Sequence, residues 1–191
     1  MTQNNNGVTA LDLPMVTPLP EDIQKYFDIC DEKLGLVPNV LKAYAFDMEK
    51  LRPFMAMYNE LMLGESGLSK LEREMIAVVV SSINNCWYCQ VAHGAAVREL
   101  SGNPLLGEAM VMNWRMADID DRQHAMLAFS EKVAKTSSEV DEHDRQAMRI
   151  LGFTDKDIWD IAATVGFFSM SNRMASAVGM QPNDAYHALH R

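Results

Sequence analysis

An all-α fold follows from three features of this 191-residue chain. Capping residues recur just ahead of apolar runs, apolar side chains within those runs return every three or four positions, and no alternating strand or hairpin pattern is left between them. Apolar residues make up 48% of the sequence against 23% charged, the balance of a globular chain. At this length roughly 70% of the area exposed by the unfolded chain is expected to be buried, so a core forms without disulfide staples. One helical domain over residues 20–191 is expected. Residues 1–19 are polar, then punctuated by Pro14 and Pro18, carry no helical period and read as an extended arm.

After Pro20, the residues Ile23, Tyr26, Phe27, Cys30 and Leu34 form one helical stripe that stops at Gly35. Cys30 lies on that stripe and reads as a small packing residue. Pro38 opens a short helix through Phe46, and Phe54, Met57, Tyr58, Leu61 and Met62 outline the next, ended by Gly64, with Pro53 near its start. Ser69-Lys70-Leu71-Glu72 is a Ser-x-x-Glu capping box that starts a helix at about residue 70. The run from Met75 to Val80 is β-branched enough to suit a buried strand, and the cap decides for helix. Asn84-Asn85 interrupts it. Asn85 is expected to cap a second helix from Cys86 to about Leu100, with Val91, Ala95 and Val97 packing.

Gly102 and Pro104 then mark a turn. Asp120 or Asp121 caps a helix carrying Met126, Phe129 and Val133, and Asp141 with Asp144 starts one that closes at Gly152. Thr154-Asp155-Lys156-Asp157 opens the last long helix, with Ile158, Ile161, Ala162, Val165 and Phe168 on one stripe, running to about Val178. Gly67-Leu68-Ser69 with Ile76-Ala77 is echoed by Gly152-Phe153-Thr154 with Ile161-Ala162, a likeness that two similarly capped helices produce. The fifteen methionines read as pliable packing.

Composition also excludes. Lys and Arg number 17 against 26 Asp and Glu, a formal charge of -9 and the wrong sign for a phosphate backbone, so nucleic acid is not an expected partner. No run approaches the ~18 apolar residues of a membrane span. The start, Met1 to Met15, lacks the basic residues and apolar stretch of a secretory signal, which places the protein in the cytoplasm, where thiols stay reduced.

Chemistry concentrates in twenty residues: Glu74, Cys86-Trp87-Tyr88-Cys89 and His93. A helix start puts both cysteines in the first turn, where unpaired N–H groups and the helix dipole favour a thiolate. Spacing of three and then four residues stacks the two sulfurs and the imidazole on one face. A carboxylate on the largely apolar preceding helix is costly unless paired, which points Glu74 at His93 or Cys86; an exposed helical glutamate is the plain alternative. Two vicinal thiols beside a base suit peroxide reduction. A thiolate attacks the O–O bond, becomes a sulfenic acid and condenses with its neighbour to a disulfide.

Three other readings compete. Zinc could take Cys86, Cys89 and His93, but a structural site needs a fourth ligand that the spacing of the other histidines does not identify. A thioredoxin-like oxidoreductase also sets C-x-x-C at a helix start after an apolar run, but the sheet it requires has no strands here. In the third, the cysteines merely pack. Trp87 and Tyr88 are candidates for walling a small pocket, against the commoner role of early-helix packing.

Glu74, eleven residues, Cys86, two residues, Cys89, three residues, His93: this order resembles the E-x11-C-x2-C-x3-H signature of the alkylhydroperoxidase AhpD-like, or carboxymuconolactone decarboxylase, superfamily. The likeness extends from about residue 20 over most of the chain, through the Leu-Ser-x-x-Glu-Arg-Glu lead-in at Leu68, the aspartate-rich helix start at Asp120 and Asn172-Arg173, and is closest to the peroxidase-related branch. The resemblance implies an AhpD-like helical bundle, self-association into trimers or hexamers, and thiol-dependent reduction of hydroperoxides without metal or bound cofactor. It further implies an external dithiol donor of lipoyl or thioredoxin type. Cys89 would be the peroxidatic cysteine and Cys86 the resolving one, with His93 and Glu74 as proton relay. Tyr88 departs from the pattern, since some family peroxidases carry a histidine there and a phenol is a poor base near pH 7. The decarboxylase side of the superfamily does not depend on a C-x-x-C pair, so the intact pair argues for the thiol side. A catalytically quiet oligomer whose vicinal thiols sense redox state is the second reading.

Overall fold

Caps set where most of the helices begin. In the computed structural model, which describes residues 7–191, the side chains of Asp47, Ser69, Asn103, Asp120, Asp141 and Thr154 each accept a backbone N–H at the start of a helix. These open α3 (Met48–Leu63), α4 (Lys70–Ile83), α6 (Pro104–Asn113), α7 (Asp121–Thr136), α8 (Glu142–Ile150) and α9 (Asp155–Ala177). Four of them, α4, α7, α8 and α9, carry complete capping boxes, each satisfying two backbone donors reciprocally. Preceding them, α1 (Glu21–Leu34) and α2 (Asn39–Tyr44) start on Pro20 and Pro38; α5 (Trp87–Ser101) starts on Cys86. No strand occurs among the described residues, so the fold is all-α as expected. None of these helices is long and apolar enough to cross a membrane.

At the centre lies α4, packed against α5, α6, α7 and α9. Every residue from Glu72 to Ser81 is buried. A helix enclosed on all sides reads in sequence as one continuous apolar run, which is why Met75 to Val80 resembled a strand. Around this run pack Leu127 from α7 and Ile161, Val165 and Phe168 from α9. A second cluster joins Ile23 and Phe27 of α1 to Leu41, Leu51 and Met55, with Cys30 partly buried against it. A third, small cluster holds Cys86, Tyr88, Cys89, Ala175 and Met180. Residues 7–19 carry no helix, yet Val8 is buried, and backbone bonds of 2.8 Å from Ala10 to Val178 and 2.9 Å from Gln181 to Val8 attach them to the chain's last part.

Three local readings are corrected. Gly102 and Pro104 do not merely turn the chain: Asn103 caps α6 and Pro104 occupies its first turn, where its missing N–H costs nothing. The helix outlined by Phe54 begins earlier, at Met48, because Asp47 caps it; Pro53 is tolerated in its second turn on an exposed side, and Met57 also faces outward, 48% exposed. Third, Asn85 does not cap α5.

Candidate functional site

Three residues, Asn84, Asn85 and Cys86, link α4 to α5, and Asn85 makes so short a link possible by taking a left-handed backbone, φ 51°. Asparagine tolerates that conformation better than other residues with a Cβ. The reversal moves the helix boundary one residue on, so Cys86 is itself the cap residue and Cys89 falls in the first turn. The Cys86 N–H donates to the Ser81 carbonyl at 2.9 Å, fastening the link to α4. Both cysteines are free and both are 1% exposed.

Sulfur charge is divided unevenly. Cys86 is pulled down from the ordinary 9.0 to about 6, chiefly because the Cys89 thiol donates a hydrogen bond to it, helped by the Cys89 backbone N–H, Ser176 and the nearby His93. Cys89 is pushed up, first by holding the proton shared with Cys86 and then by burial, against weaker hydrogen bonds from Asn172 and Ser171. The pair thus shares one proton, with the charge on Cys86.

Glu74 projects from the second turn of α4 and His93 from the second turn of α5. Their facing atoms, Glu74 Oε2 and His93 Nδ1, lie 2.6 Å apart, and both side chains are nearly buried. A carboxylate can only accept, so the Nδ1–H donates and Nε2 is the ring nitrogen left to take up or release a proton. Phe168 meets the imidazole edge-on, with centroids 4.6 Å apart. Glu74, Cys86, Cys89 and His93, close in sequence, come to one region between α4, α5 and α9. Tyr88 is buried, with its hydroxyl accepting the Val40 N–H at 3.0 Å. Trp87 is 54% exposed and lies against His187.

Several residues here carried no signal in sequence. Burial and the Glu74 charge push the Tyr58 phenol well above its ordinary value, and Tyr186 is raised for the same reasons, with Cys30 contributing, so both lie near the carboxylate. Ser171 and Ser176 reach the sulfurs from α9. Arg98, buried between α5 and α6, donates to the Tyr186 and Leu189 carbonyls at 2.9 and 3.0 Å, pinning the 3-10 turn Asp184–His187 and the residues after it. Gly107 makes room for it, since a Cβ there would lie 2.5 Å from Arg98 Cγ. Among the described residues, no three His, Cys, Asp or Glu side chains are grouped to hold a metal ion.

The thiolate absorbance of the reduced protein is expected to rise with a midpoint near pH 6, and to lose that step in Cys86→Ser. A single step near 9.0 in the parent protein would contradict the charge division. Folded Cys86 binds fewer protons than unfolded Cys86 between about 6 and 9.0, so its stabilisation is complete above 9.0 and is lost as pH falls through about 6. Cys89, pushed the other way, lowers stability as pH rises beyond 9.0.

Comparison with known proteins places this geometry. The model of the Carboxymuconolactone decarboxylase family matches residues 49–105, which include Glu74, both cysteines and His93. The chain is 64% identical to a peroxidase-related protein from Silicibacter sp. TM1040, each covered over 100% of its length, with a TM-score of 0.94. It is 45% identical to a peroxidase-related protein from Ralstonia eutropha JMP134, described as an alkylhydroperoxidase AhpD core, covering 96% of this chain and 97% of that one at a TM-score of 0.92. The debrominase Bmp8, solved with 2,3,4-tribromopyrrole, shares the fold at 16% identity and a TM-score of 0.78, covering 99% and 97% of the two chains. No curated protein matches the chain.

Proposed function

Since the chain belongs to the AhpD-like, peroxidase-related branch of the carboxymuconolactone decarboxylase superfamily, we propose that it reduces hydrogen peroxide or small organic hydroperoxides through Cys86 and Cys89. The observation that carries this reading is the Glu74–His93 pair, closed to 2.6 Å beside two free, vicinal thiols. Cys89 is the attacking residue and Cys86 the resolving one. The Cys89 proton passes to His93 Nε2, and the Cys89 thiolate so formed attacks the distal peroxide oxygen. The O–O bond breaks, its electrons leave on the alkoxide, and the imidazolium hands that proton on to give the alcohol. The Cys86 thiolate then attacks the Cys89 sulfenic acid. The S–S bond forms as the S–O bond breaks, and the departing hydroxide takes a proton from solvent and leaves as water. Glu74 holds the imidazole orientation and stabilises its charged form between the two steps.

The disulfide returns to thiols at the expense of an external dithiol, of lipoyl or thioredoxin type, which is oxidised in turn. No bound cofactor or metal enters the cycle. A reducing compartment, the cytoplasm, suits such a pair. Self-association is supported by Leu105 and Met112 of α6, 75% and 78% exposed on a helix that is apolar around most of its surface.

The test is hydroperoxide consumption by the parent protein with excess dithiol, alongside a count of free thiols after one equivalent of peroxide. Turnover together with loss of two thiols, mapped to Cys86 and Cys89, is the expected result. Disulfide formation without turnover would overturn the enzyme and leave the redox-sensing reading; thiols untouched by peroxide would overturn both.

A further inference from the structure

With both cysteines 1% exposed, no reagent reaches either sulfur until a neighbouring element moves aside. One part of their cover is held differently from the rest. The helix α2 is six residues long and begins on Pro38, which has no side-chain oxygen to cap it. Its cap comes instead from Asn183, 144 residues away. Asn183 Oδ1 accepts the Asn39 N–H at 2.8 Å, and Asn183 Nδ2 donates to the Val37 carbonyl at 3.0 Å. Asn39 Nδ2 in turn donates to the Gln181 carbonyl at 3.0 Å, so two amides stitch α2 to the segment that follows α9. This seam is thin, with chain neighbours on its two sides. Just inside it, Val40 and Met180 pack in the cluster that holds both cysteines, and the Val40 N–H is the one that meets the Tyr88 hydroxyl. Just outside it, Asn39, Gln181 and Asn183, with Leu36 and Pro182, line an open hollow of about 480 Å³.

We propose that this seam is the entrance to the thiol pair: the amides of Asn39 and Asn183 are its latch, and the hollow is the vestibule through which hydroperoxide and external dithiol pass. Three hydrogen bonds hold the latch, none of them fully buried, so it opens locally while the core around α4 stays closed. The identity of what enters rests on the dithiol cycle above, whereas the opening is a property of the fold.

The opening is measured by labelling the reduced protein with N-ethylmaleimide, with neither hydroperoxide nor dithiol present, so that a chain inactive toward peroxide can still pass or fail. Peptide mapping separates Cys86 and Cys89 from the partly buried Cys30. In Asn183→Ala, labelling of Cys86 and Cys89 is expected to run about tenfold faster than in the parent protein, the scale of the lost hydrogen bonds. In Asn39→Ala, which keeps its backbone N–H for Asn183, the gain is expected to be about threefold. Asp141→Ala removes the cap of α8, which packs on α7 and α9 away from the seam, and is expected to leave the rate within about twofold. An unchanged rate in a folded latch variant would overturn the proposal, as would equal acceleration in Asp141→Ala, the mark of general loosening. The parent protein supplies a check that needs no substitution. Dilute urea is expected to leave its labelling rate unchanged, as local opening requires, and a rate that rises in step with global unfolding would overturn the proposal too.

Discussion

Cys89→Ser is expected to lower hydroperoxide turnover by at least about 10³-fold, the scale on which loss of an attacking residue is felt. A serine hydroxyl ionises far above neutral pH, and no helix end or neighbouring proton acceptor of this strength makes it a comparable nucleophile. The partner substitution fails differently. In Cys86→Ser the first step survives, because Cys89 and the Glu74–His93 pair remain. The sulfenic acid then has no thiol to condense with, so one equivalent of peroxide is consumed and turnover stops. Trapping with a sulfenic-acid reagent followed by peptide mapping identifies the residue. Trapping at Cys86 in the Cys89→Ser protein, with Cys86→Ser inert, would reverse the order of attack, and full turnover in both would remove the disulfide from the cycle.

Phe168→Ala is expected to cost about 3–5 kcal/mol of unfolding free energy, the range for deleting a buried phenylalanine. Phe168 is 2% exposed, meets the Phe167 ring at 5.3 Å and presses edge-on against His93. Truncation removes its apolar burial and leaves a cavity directly behind the imidazole. Phe168→Leu keeps most of the volume and is expected to cost less than about 1.5 kcal/mol. Urea unfolding of both variants provides the measurement. Equal losses would mean that the site collapses around the missing ring and that the packing behind His93 is softer than its burial indicates.

What sequence made legible here depended on how local the determining interactions are. Ser69, Asp120, Asp141 and Thr154 announce their helices because a capping box is complete within four residues. Glu74, the cysteines and His93 could be grouped because consecutive packed helices carry them. By contrast, α6 has no amphipathic period: Leu105, Leu106, Ala109, Met110, Val111 and Met112 run around it, and its Gly107 answers to Arg98 on another helix. Asn85 was misjudged because its backbone conformation serves the chain reversal, a demand set by the packing of α4 on α5 rather than by its own side chain. Tyr58, Ser171, Asn172, Ser176 and Tyr186 reach the site from distant parts of the chain, and no spacing rule links them to it.

The enclosure of α4 bears on motion. Amide hydrogens in a helix buried from Glu72 to Ser81 can exchange with solvent only when the molecule opens as a whole, so Glu74 rides on the slowest-opening part of the chain. Cys86 is the last of the three residues between α4 and α5, at a helix boundary where small rearrangements are expected to need no global opening. On the proposed cycle the Glu74 end of the site is the stationary frame, and Cys86, which would close the disulfide onto Cys89, is expected to be the part that moves.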